Sequence, residues 1–85
     1  MKGGFFRMRW KKEDVIFETI REAVVWADEV ANEMYGRLFE GYETPDYKIA
    51  YALSFFLAQN RAFNIHMEVE WNEKIDVYKV WITTR

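Results

Sequence analysis

Residues 48–63 read KIAYALSFFLAQNRAF, a helix with almost no polar face. Tyr47, Tyr51 and Ala58 share one side, Ala50, Leu53 and Leu57 a second, Ile49 and Phe56 a third. Only Lys48, Ala52 and Gln59 leave a narrow, weakly polar strip. A helix that is apolar nearly all round is normally buried on several sides. In a chain of 85 residues surface wins over volume, and one sheet and one further helix can cover only part of it. The helix therefore calls for a single domain, residues 1–85, with apolar surface left over for contact.

The rest of the chain supplies the partners. Phe5 to Trp10 alternates, with Phe6, Met8 and Trp10 on one side and Phe5, Arg7 and Arg9 on the other. That period of two predicts a half-buried strand. Lys12-Glu13-Asp14 then opens a long amphipathic helix. Ile16, Ile20, Ala23, Val24, Ala27, Val30, Ala31, Met34 and Leu38 form its apolar stripe, and it ends near Gly36. Val25 lies in the middle of its polar face and Trp26 beside that face's edge. Residues 36–44 read as a connection. Thr44 is an expected N-cap, with Pro45 at the first helical position of the second helix, which runs to Asn60 or Arg61.

Phe63 to Trp71 alternates again, and Ile75 to Thr84 is apolar on both faces, as in a strand at the middle of a sheet. A hairpin loop of two or four residues turns Tyr78, Val80 and Ile82 inward; one of three residues turns Ile75, Val77 and Trp81 inward. The even loop is favoured because it sets Lys79 outward. The fold class is α+β, in the order β-α-α-β-β. Two helices pack on one face of a three-stranded antiparallel or mixed sheet, with the last strand between the other two. The expected core sets Ile20, Val24, Ala27, Ala31 and Met34 against Tyr51, Leu57, Ile65 and Met67.

Chemistry finds little foothold. The only serine, Ser54, lies within the apolar helix and cysteine is absent, so no nucleophile is set up for a triad, no disulfide forms and no zinc–thiolate site exists. His66, Glu68 and Glu70 line one strand face, but strand side chains stand parallel and do not converge on a metal; a polar solvent face with Glu68 across from Lys79 is expected. No enzyme activity, metal or cofactor is expected. The start of the chain lacks the form of a signal peptide and no stretch is long enough to span a membrane, which fits a cytoplasmic protein.

Two readings of function follow. The surplus apolar surface predicts a protein–protein interaction module of adaptor or inhibitor type, homo-oligomeric, with Phe5, Val25, Trp26, Phe56, Val77 and Trp81 at its interface. The alternative is a single-stranded nucleic-acid binder using the outer sheet face, where Phe5, Arg7, Arg9, Lys79 and Trp81 interleave basic and aromatic side chains. The net charge of −2 opposes the second reading.

Overall fold

The computed structural model describes residues 8–84 and is an α+β fold. Its elements are β1 (Trp10–Lys12), α1 (Ile20–Tyr35), β2 (Gly41–Thr44), α2 (Tyr47–Ala58), β3 (Phe63–Glu70) and β4 (Val77–Thr84). The sheet has the order β1-β2-β4-β3. β1 runs parallel to β2, and β4 is antiparallel to both β2 and β3. The last strand thus lies between two others, as expected, but β2 takes the place assigned to the first strand. The expected strand from Phe5 to Trp10 begins instead at Trp10; Phe5 and Arg7 lie outside the described residues.

β2 is the element the sequence concealed. GYET is four residues long and opens on glycine, a poor strand former. It is nonetheless paired on both sides, so Gly41, Tyr42 and Thr44 are buried. Tyr42 carries the segment into the core: its ring is fully buried beside Phe39, while its hydroxyl finds polar partners.

α1 starts seven residues later than Glu13, because residues 13–18 stay extended. The Glu13 N–H donates to the Glu43 carbonyl at 3.1 Å, continuing the ladder past β1. Burial then alternates, with Val15 and Phe17 packed against the core and Ile16 exposed. The β-branched and aromatic run Val15-Ile16-Phe17 suits that pleated path. Thr19 caps the helix, its hydroxyl accepting from the Glu22 N–H (3.3 Å) and donating to the Glu22 carboxylate (2.9 Å). Ala23, Ala27, Val30, Ala31 and Met34 face the core. Ile20 does not: it sits in the first turn, 66% exposed, and Val24 and Tyr51 are exposed with it. The helix ends at Gly36, whose N–H donates to the Asn32 carbonyl, and Arg37 follows with φ of 63° in the left-handed region.

α2 is capped by Asp46, not Thr44. The Asp46 Oδ1 accepts from the Lys48 N–H at 2.9 Å, Oδ2 accepts from the Phe17 N–H at 2.8 Å, and the Lys48 ammonium lies 2.9 Å away. Thr44 supports the cap by accepting from the Asp46 N–H. Pro45 therefore lies just outside the helix. Ile49, Ala50, Leu53 and Leu57 turn inward and are fully buried. Tyr47, Tyr51 and Phe55 turn outward and are each at least half exposed.

β3 and β4 pair one to one from Phe63↔Thr84 to Glu70↔Val77. The connection, residues 71–76, is six residues long rather than two or four, with the same parity. Tyr78, Val80 and Ile82 accordingly face the helices, opposite Val69, Met67 and Ile65. Val77, Lys79 and Trp81 face away. The strand begins at Val77, leaving Ile75 in the connection.

Candidate functional site

Two surfaces collect side chains beyond what the fold needs. The first is the sheet face turned away from the helices. Strand register aligns Trp10, Gly41, Trp81 and His66 in one row across all four strands. The Trp10 and Trp81 ring centroids are 5.9 Å apart, and the His66 ring stacks on Trp81 at 5.2 Å and 15°. Glycine at 41 makes this row possible: a Cβ there would lie 2.5 Å from the Trp10 ring. The His66 Nε2 also pairs with the Thr83 hydroxyl at 2.9 Å.

The next row is charged: Lys12, Glu43, Lys79 and Glu68. Glu43 lies 3.4 Å from the Lys12 ammonium and 3.9 Å from that of Lys79, and Glu70 lies 3.5 Å from Lys79. Glu68 is opposite Lys79 in register, but the ion pairs run to Glu43 and Glu70. The lysines of this face are therefore paired with acids of the same face. Val77 lies half-buried at its end, lining a cleft of about 390 Å³ with Glu43, Glu70 and Ile75. Among the described residues no three His, Asp or Glu side chains converge as metal ligands.

Arg9 is not part of this face. Register sets it on the opposite side from Trp10, and Trp10 takes the place on the outer face that alternation had given to Arg9. The Arg9 guanidinium lies 3.1 Å from Glu40 Oε2 and donates to the Arg37 carbonyl, and its backbone N–H donates to Glu40 Oε1. Burial works to raise the Glu40 carboxyl, but the Arg9 N–H and the charges of Arg9 and Arg37 outweigh it and hold the group below the usual carboxylate range. Asp46 is likewise held low: burial opposes ionisation, and the Phe17 N–H and Lys48 overcome it. Both folded-state values lie under those of the unfolded chain. The unfolded chain thus takes up protons first as pH falls. The stability these groups contribute is full above about pH 5 and drains away as pH drops through their folded values. Urea midpoints should hold level between about pH 6 and 7 and fall progressively below about pH 4.5. A midpoint that rises on acidification would contradict both assignments.

Beneath the sheet lies a polar cluster. The Tyr42 hydroxyl donates to Glu13 Oε1 at 2.5 Å, and the Trp26 indole N–H reaches both Glu13 Oε1 (3.1 Å) and the Tyr42 oxygen (3.0 Å). Burial, with the Glu13 carboxylate beside it, pushes the Tyr42 phenol well above its ordinary value. Lys11 bridges Glu13 and Glu33. Trp26, expected at the interface, is half-buried, edge-on to Phe17, and ties α1 to β2. The period-3.6 reading set Trp26 beside the polar face because it could not show that the extended segment 13–18 folds over that edge.

The second surface is the helix layer. Tyr47, Tyr51 and Phe55 recur every fourth residue along α2, with Tyr47 and Tyr51 edge to face at 6.0 Å and Tyr51 and Tyr78 at 6.4 Å. Ile20 and Val24 of α1 border them, and a groove of about 290 Å³ lies between, lined also by Lys48 and Ala52. Tyr51 is 58% exposed and Phe55 65%. Of the remaining expected interface residues, Val25 is exposed on α1, whereas Phe56 is half-buried against the core. The sequence reading joins Tyr47 and Tyr51 on one side with Ala58 rather than Phe55, and sets Tyr51, Ile20 and Val24 in the core, whereas all three are exposed.

Comparison with protein-family models, with curated proteins and with solved structures returns no match.

Proposed function

We propose that the protein is a small non-enzymatic protein–protein interaction module, of adaptor or inhibitor type, that works as a homo-oligomer. The observation that carries this reading is the exposed stripe of Tyr47, Tyr51 and Phe55 beside Ile20 and Val24. Contiguous apolar patches on a monomer mark contact sites, and tyrosines supply large contact area at low entropic cost. The polar side chains support it from the other direction. The Ser54 hydroxyl donates back to the Ala50 carbonyl and His66 is held by Thr83 and Trp81, so each is engaged structurally. Among the described residues no helix is long and apolar enough to cross a membrane, and a cysteine-free interaction module suits the cytoplasm.

Changing Tyr51→Glu together with Phe55→Glu tests the stripe. Both side chains are exposed, so the thermal midpoint should move little. Binding of a protein retained by the wild type from native lysate should weaken on the order of thirtyfold, as for a central contact residue. If wild type and double variant retain the same proteins with the same strength, the stripe is not a docking face.

A second reading has its own observation. The row of Trp10, Trp81 and His66 rings on the outer sheet face is an arrangement on which single-stranded bases could stack. Lys79 on that face, and Arg9 beside it, are already paired with acids. Salt-dependent quenching of tryptophan fluorescence by an oligonucleotide, lost in Trp81→Ala, would favour it over the first.

A further inference from the structure

β3 is a long edge strand without the usual protection. It spans eight residues, contains no proline or lysine, and pairs with β4 without a bulge. Among the described residues no strand flanks its other side. Such an edge is a template for adding a strand. The opposite edge strand, β1, is only three residues long among the described residues.

We infer that β3 pairs antiparallel with β3 of a second copy across a two-fold axis at Met67, joining two sheets into one of eight strands. This rests on the reading of the protein as a homo-oligomer and names the surface that makes it one. The register follows from the side chains. Antiparallel partners directly opposite share a sheet face, so a symmetric pair must centre on a residue. Centring on Glu68 sets that carboxylate against itself, which is unfavourable. Centring on His66 sets the imidazole against itself and leaves Glu68 without a basic partner across the strand. Centring on Met67 sets His66 opposite Glu68 of the second copy, twice. On the helix-side face it sets Ile65 opposite Val69. It also brings Trp71, 79% exposed one residue beyond β3, opposite Phe63 of the second copy. Each of these pairs is then complementary, and the most exposed tryptophan gains apolar cover. A two-fold axis perpendicular to the sheet keeps both helix layers on one side.

Charge exchange tests it. Sedimentation at tens of micromolar should show the wild type as a dimer. His66→Glu sets two pairs of carboxylates face to face and should weaken dimerisation at least tenfold. His66→Glu combined with Glu68→Lys sets opposite charges face to face in this register alone and should recover the dimer. Recovery would not follow if the axis lay at His66, because the carboxylates at position 66 would still meet. A wild-type monomer, a His66→Glu variant that dimerises normally, or a double variant that stays monomeric would each overturn the inference. Hydrogen exchange on the unmodified protein covers the case in which a variant fails to fold. Amides in 63–70 should exchange more slowly as concentration rises, and rates independent of concentration would refute the pairing. A dimer abolished by Tyr51→Glu with Phe55→Glu but untouched by His66→Glu would overturn the β3 edge and leave the interaction module standing.

Discussion

Asp46→Ala should lower the stability of this protein by ~3–5 kcal/mol, well beyond the ~1 kcal/mol of an ordinary helix cap. The carboxylate is 1% exposed and serves three donors at once: the first turn of α2, the backbone of the extended segment at Phe17, and the Lys48 ammonium. Removing it leaves the Phe17 and Lys48 N–H groups without their acceptor and strands a lysine whose side chain is only 12% exposed. Breaking one half of a buried pair costs more than the pair contributes, because the remaining charge keeps its desolvation penalty. Asp46→Asn keeps an acceptor and loses the charge, so it should fall between the wild type and alanine. Urea denaturation at neutral pH measures both. A loss in Asp46→Ala below about 1 kcal/mol would mean that the pair behaves as a surface ion pair.

Leu53→Ala should cost ~2–5 kcal/mol, while Ile20→Ala should stay within ~0.5 kcal/mol. Leu53 is fully buried near the middle of α2, so its truncation removes core contacts and leaves a cavity. Ile20 is the first residue of α1 and 66% exposed, so its truncation leaves no cavity. The pair of variants measures where α1 begins. If Ile20→Ala proved as costly as Leu53→Ala, the first helix would have to start before Thr19 and turn Ile20 into the core.

The regular elements were legible where a period repeats. α2, β3 and β4, and the apolar stripe of α1 from Ala23 to Met34, follow from spacing alone. Loop parity also carried real information: an even connection turned Val80 and Ile82 into the core and Trp81 away from it. The failures share a cause. Gly41–Thr44 is too short for a period to show, and its burial comes from being paired on both sides, which no local pattern records. Residues 13–18 carry apolar side chains compatible with both periods, and Glu13 and Asp14 read as a helix's first turn although the helix is capped at Thr19. For the candidate site, the surplus of apolar surface was evident, but its location was not. Trp81 was rightly set on the outer face. Trp26 went inward because Glu13 and Tyr42, far apart in the chain, meet its indole N–H.

The position of β4 governs when this chain can fold during synthesis. It follows every other element in chain order, yet it is the only described strand that touches both β2 and β3. Until its residues leave the ribosome, β2 and β3 have no common partner, and the two helices have no complete sheet to lie against. The nascent chain up to residue 76 thus exposes Leu53, Leu57 and the inner face of β3 together. Such intermediates are prone to aggregate or to be held by chaperones. Completion of the sheet has to wait for β4, a strand that inserts between two others rather than adding to an edge.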